Sequence, residues 1–183
     1  MATFIMIPNG TGTINWTASD GFTPTYSHVD NDNGDTQYLY SNTNGNRIIV
    51  DLQSPSDAGV DAGDVDTINT VTLKFSGQKT LVGAGNVTVQ QLGTAADSSS
   101  IANGPDTLAL NIGSYTTVSG PAEPKSDGSN LWVYEDLAGL QLRVNQHRSP
   151  RFGENRISYL YAEVDYTPAA VVVDNATFFG ANF

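Results

Sequence analysis

Glycine and Asn/Asp clusters interrupt this sequence roughly every ten residues, and that punctuation restricts its fold more than any other feature. Helices need longer uninterrupted runs to bury an apolar stripe. Between the breaks lie short runs rich in Thr, Val, Ile and Tyr, whose branched and aromatic side chains suit a pleated surface. The spacing predicts strands near Thr13 to Ala18, Thr25 to Val29, Gln37 to Tyr40, Arg47 to Leu52, Ile68 to Phe75, Asn86 to Gln91, Thr107 to Asn111, Tyr115 to Val118, Leu140 to Val144 and Ile157 to Tyr166. Period-2 alternation is clearest in Val71 to Phe75, Val87 to Val89 and Ile157 to Tyr166. Such alternation turns one face to a core and the other to water, so two sheets stacked face to face are expected.

The one plausible helical turn is Trp132 to Gly139, with Glu135, Asp136 and Leu137 ahead of a glycine suited to end it. Gly120 to Asn130 reads as a Pro- and Gly-rich surface loop. At 183 residues the chain fits one domain able to bury a core without disulfides, and it has no cysteine to form them. The expected organisation is a sandwich over 1–168 followed by an apolar arm or extra strand over 169–183.

The formal net charge of -11 and the pI near 4.2 argue against nucleic acid and against an anionic membrane surface. No stretch approaches the roughly 18 consecutive apolar residues of a spanning helix. The opening MATFIMIPNG has neither the basic segment nor the apolar length of a signal peptide, which predicts a chain not exported by the ordinary secretory route.

Catalytic constellations are not found. Without cysteine there is no thiol nucleophile, and a serine triad would have to use His28 or His147 as base. His147 falls in the polar run Asn145 to Ser149, no Gly-x-Ser-x-Gly elbow occurs, and no Gly-rich phosphate loop with its lysine is present. A non-enzymatic role without a cofactor is therefore expected. One stretch could take a hard cation such as calcium: Asp30, Asp32 and Asp35 surround Gly34 as at the start of an EF-hand loop, although Ser41 stands where the bidentate Glu belongs. The same residues equally make an ordinary solvated turn. Asp57, Asp61, Asp64 and Asp66 form a second acidic loop with the same two readings.

The run Trp132 to Val144, followed by Arg156 to Thr167, resembles a group of jelly-roll domains found in tailed-bacteriophage virion proteins and in prophage-derived proteins. In that group a Trp and an acidic turn lead into a strand, and the domain closes on a strand of the form Leu-Tyr-Val-Glu-Val-Asp-Tyr. Pro8 to Gly10 with Trp16, the acidic Val29 to Tyr38, and Ile68 to Leu73 look like its opening strand, acidic turn and first central strand. The resemblance implies a jelly-roll-like β-sandwich of two antiparallel sheets, and by analogy of size a capsid decoration or cement protein on the virion surface: a homotrimer bound to the major capsid protein. Under that reading the assembly residues are the terminal apolar ones, Phe4, Ile5 and Ile7 at one end and Val171, Val173, Phe178, Phe179 and Phe183 at the other. Two alternatives stand beside it. One is a tail or baseplate component. The other is a carbohydrate-binding module for host adhesion, with Trp16, Tyr38 and Tyr40 as stacking platforms and Trp132, Tyr134 and Tyr159 as further aromatics.

Overall fold

The computed structural model describes residues 1–32, 34–81, 86–94, 106–122, 132–147 and 153–170. Eleven strands occur among them: β1 (Ala2–Met6), β2 (Pro8–Ile14), β3 (Thr17–Ala18), β4 (Leu39–Ser41), β5 (Arg47–Leu52), β6 (Val65–Lys79), β7 (Asn86–Thr94), β8 (Asp106–Leu108), β9 (Thr116–Ala122), β10 (Leu140–His147) and β11 (Asn155–Pro168). One antiparallel sheet runs β3-β4-β11-β6-β9, with β1 also paired to β11, and the other runs β2-β5-β10-β7-β8. From β4 onward the chain crosses between sheets at every connection except β7 to β8, and the resulting orders β4-β11-β6-β9 and β5-β10-β7-β8 are those of a jelly roll. The expected two-sheet sandwich is therefore what the chain forms.

Alternation builds the interior. Val71, Leu73 and Phe75 of β6 and Leu160, Ala162 and Val164 of β11 face Ile48, Val50 and Leu52 of β5 and Leu142 and Val144 of β10 across the sandwich, all of them buried. Buried Asn155 donates to Gln146 at 2.9 Å, a side-chain bond joining the start of β11 to the end of β10 that satisfies polar atoms removed from water. Gly77 lies at an inward position of β6 opposite Ile157, where a Cβ would stand 3.0 Å from the Arg156 carbonyl oxygen and 3.1 Å from Leu110. Gly77→Val should therefore cost about 1–3 kcal/mol by overpacking. Urea denaturation checks this, and an unchanged midpoint would show that the wall yields.

Several expectations are corrected. Thr13 to Ala18 is not one strand, because β2 ends at Ile14 in one sheet and Thr17–Ala18 pairs with β4 in the other. Thr25 to Val29 is not extended: Tyr26–His28 forms a 3-10 turn whose last residue is buried and whose ring nitrogen Nδ1 sits 3.2 Å from the Thr25 hydroxyl. The N-terminal β1 was not expected, and it changes the assembly reading. Phe4 is buried, edge-on to Tyr166 at 5.6 Å, so it serves the core and offers nothing to a partner. Ile5 is exposed and Ile7 half-buried. Val171, Val173, Phe178, Phe179 and Phe183 lie outside the described residues. No helix among the described residues is long and apolar enough to cross a membrane.

Candidate functional site

The outward positions of β11 do not simply continue the alternation of its sequence. Ser158 is an extra residue between Ile157, which pairs with Gly77, and Tyr159, which pairs with Ser76. This bulge keeps both Ile157 and Leu160 in the core and puts Arg156, Tyr159, Tyr161 and Glu163 on the outer face. The cross-strand neighbours on that face are Gln78, Ser76, Lys74 and Thr72 of β6. Tyr159 and Tyr161 stack at 4.6 Å between centroids with 28° between planes. Both rings are half-buried, and Lys74 Nζ donates to Glu163 at 2.6 Å beside them. Burial, followed by the neighbouring Tyr161 and then the charge of Asp32 and Asp30, raises the Tyr159 hydroxyl above the ordinary phenol value, so it remains a hydrogen-bond donor at neutral pH.

A second aromatic group adjoins the first at the β4 end of β11. Tyr40 pairs directly with Arg156, and the Tyr38 ring lies 6.2 Å from Tyr40 and 6.4 Å from Tyr115. The Arg156 guanidinium sits 4.8 Å from the Tyr38 centroid and is held by Glu154 at 2.7 Å, with Asp35 at 3.8 Å. Gln78 donates its amide to Asp35 at 2.9 Å. The Tyr115 hydroxyl is buried beside Gln78, and burial pushes its pKa upward.

The predicted site residues divide sharply. Tyr38, Tyr40 and Tyr159 are brought together on this face. Trp16 is not: it is 2% exposed and belongs to the core, so it presents no plane to a ligand. Trp132 is likewise buried, and Tyr134 uses its hydroxyl to donate to the Val60 carbonyl at 2.7 Å. Asp30, Asp32 and Asp35 each have their own local partner: Asn31 donates to Asp30, Ser158 to Asp32 at 3.3 Å, and Gln78 to Asp35. Among the described residues no three of His, Asp or Glu converge as a metal-holding group. In the second acidic loop, Asp57 accepts from Ser54 at 2.7 Å and Asp64 from the Asp61 N–H at 3.2 Å, which are turn contacts. His147 ends β10, whereas His28 is buried with its Nε2 3.2 Å from Asp20.

Asp20 accepts from the Phe22 N–H at 3.0 Å, and this bond, with His28 beside it, lowers its pKa. A carboxyl with a depressed folded pKa stabilises fully above its unfolded value of ~3.9, and that contribution disappears as pH falls through the folded value. Thermal stability should therefore decline on acidification below about pH 4, and Asp20→Asn should flatten that part of the profile. Parallel profiles for the two proteins would remove Asp20 from the account.

Tyr115, Tyr161, Arg156, Gln78 and Lys74 were not anticipated. Tyr161 had a signal, being two residues from Tyr159 in an alternating strand, but Tyr115 and Gln78 join only through the sheet order.

No family model matches the chain, and no curated protein is significantly similar to it. Among solved structures, the CBM22-1 xylan-binding domain from Paenibacillus barcinonensis Xyn10C is 13% identical, with a TM-score of 0.37 over 91% of this chain and 94% of that one. The N-terminal CBM22-1-CBM22-2 tandem domain of the same Xyn10C is also 13% identical, with a TM-score of 0.40 over 95% of this chain and 48% of the tandem, so this chain spans about half its length. Similarity this slight gives no argument about ligands, and function rests on the face itself.

Proposed function

We propose that this chain is a non-catalytic glycan-binding module whose ligand lies along the outer face of the β4-β11-β6-β9 sheet. The observation that carries this reading is the stacked Tyr159–Tyr161 pair on the sheet face that also bears Arg156 and its cross-strand neighbour Tyr40, with the Tyr38 ring against the Arg156 guanidinium. Sugar rings carry an apolar C–H face and a rim of hydroxyls, so they are recognised by aromatic planes with polar groups set beside them. Here the planes are supplied by tyrosines and the polar groups by Lys74 and Arg156. Positions on paired strands lose little freedom on binding, which favours affinity.

The carboxylates suit binding better than hydrolysis. A glycosidase opposes two carboxyls across the scissile bond, one kept as the acid. On this face Glu163 is engaged by Lys74, and Glu154 and Asp35 by Arg156. Phe4, one of the residues expected to attach the chain to a capsid lattice, is in the core instead. Affinity electrophoresis through gels holding soluble xylan, mixed-linkage β-glucan, glucomannan or chitosan tests the proposal. Retardation by at least one polymer is expected, and free migration through all of them would overturn it.

A further inference from the structure

The charges around the stacked tyrosines are unevenly distributed, and that bears on which glycan the face accepts. Among the described residues the two cations on this face are already engaged: Lys74 with Glu163 at 2.6 Å, and Arg156 with Glu154 at 2.7 Å and Asp35 at 3.8 Å. Asp30 and Asp32 meet no cation among the described residues; their carboxylates accept only from the neutral groups of Asn31 and Ser158. Asp30 is also placed by a backbone bridge to Tyr159 itself, so its carboxylate stands beside the aromatic pair.

We infer that this face selects its glycan by charge, taking amino-bearing chains ahead of neutral ones and excluding uronate- or sulfate-bearing ones. The inference rests on the glycan-binding reading above. An ammonium group on a sugar stacked over Tyr159 meets an aromatic face, which attracts cations, with two uncompensated carboxylates at its edge. The chain's net charge of -11 draws the same ligand in from a distance. An acidic sugar meets the reverse: to reach Lys74 or Arg156 it must displace a carboxylate already bound there, while Asp30 and Asp32 repel it.

Hexamers of β-1,4-linked glucose, glucosamine and glucuronic acid share a backbone and differ in charge, so isothermal titration of the intact chain with each isolates the effect. The glucosamine hexamer should bind about tenfold more tightly than the glucose hexamer at low salt, with the gap closing as salt screens the carboxylates. The glucuronate hexamer should show no heat of binding. In the Asp30→Asn/Asp32→Asn double variant the glucosamine hexamer should fall to the affinity of the glucose one. Equal affinities for the three hexamers, a preference for glucuronate, or a double variant that keeps its ammonium preference would each overturn the inference and leave glycan binding standing. If no hexamer binds while a neutral polymer still retards the chain in gels, the charge inference alone falls. If no polymer retards it either, the glycan reading falls with it.

Discussion

Replacing Trp16 with alanine should lower the stability of the folded chain by about 3–5 kcal/mol, the cost of emptying a large buried aromatic site. Trp16 is 2% exposed and packs in the common core, reaching it because the chain passes from one sheet to the other between β2 and β3. At about 2–4 °C per kcal/mol for a chain of this length, the melting temperature should drop by roughly 6–20 °C. Its indole N–H is buried without a hydrogen-bond partner, so Trp16→Phe removes an unsatisfied donor along with some volume and should cost distinctly less. Glycan affinity measured where each variant remains folded should be unchanged. A Trp16→Ala protein of normal stability that fails to bind would return this residue to the binding surface.

Tyr159→Ala and Tyr161→Ala should act the other way round. Each removes half of a stacked pair from an outer face, so each should cost no more than about 1 kcal/mol of stability, the scale of a cross-strand pair. Loss of a stacking plane beneath a sugar ring should weaken binding about tenfold for each single variant, or ~1.4 kcal/mol, and the double variant should bind too weakly to titrate. Tyr161→Phe separates stacking from hydrogen bonding, because it retains the plane and loses only the hydroxyl. Equal affinity for wild type and the double variant would remove the stacked pair from the site.

Much of the fold was legible because alternation and turn punctuation act locally. Arg47–Leu52 was predicted with its boundaries intact, and Leu140 to Val144 and Ile157 to Tyr166 form the hearts of β10 and β11. What failed depends on distance. A tryptophan near the point where the chain changes sheets carries no mark of which side it faces, so Trp16 read as a platform when it is core. The 3-10 turn at Tyr26–His28 is pinned by the buried His28 ring, a tertiary effect that strand propensity at Thr25 to Val29 cannot register. The Ser158 bulge reverses the phase of β11, since strict alternation would put Ile157 on the same face as Tyr159 and Tyr161. Tyr38, Tyr40 and Tyr159 were visible as aromatics without a shared location. Only the pairing of β4 and β6 on either side of β11 gathers them with Arg156 and Gln78.

The most direct test of the central claim is amide chemical-shift mapping of the labelled chain, titrated with the oligosaccharide that retards it most. Binding on the proposed face predicts that the largest shifts fall at Tyr38, Tyr40, Lys74, Gln78, Arg156, Tyr159 and Tyr161, with little change across the other sheet. Shifts concentrated instead at Arg47, Gln141, Arg143 and Asn145, on the outer face of the β2-β5-β10-β7-β8 sheet, would contradict it.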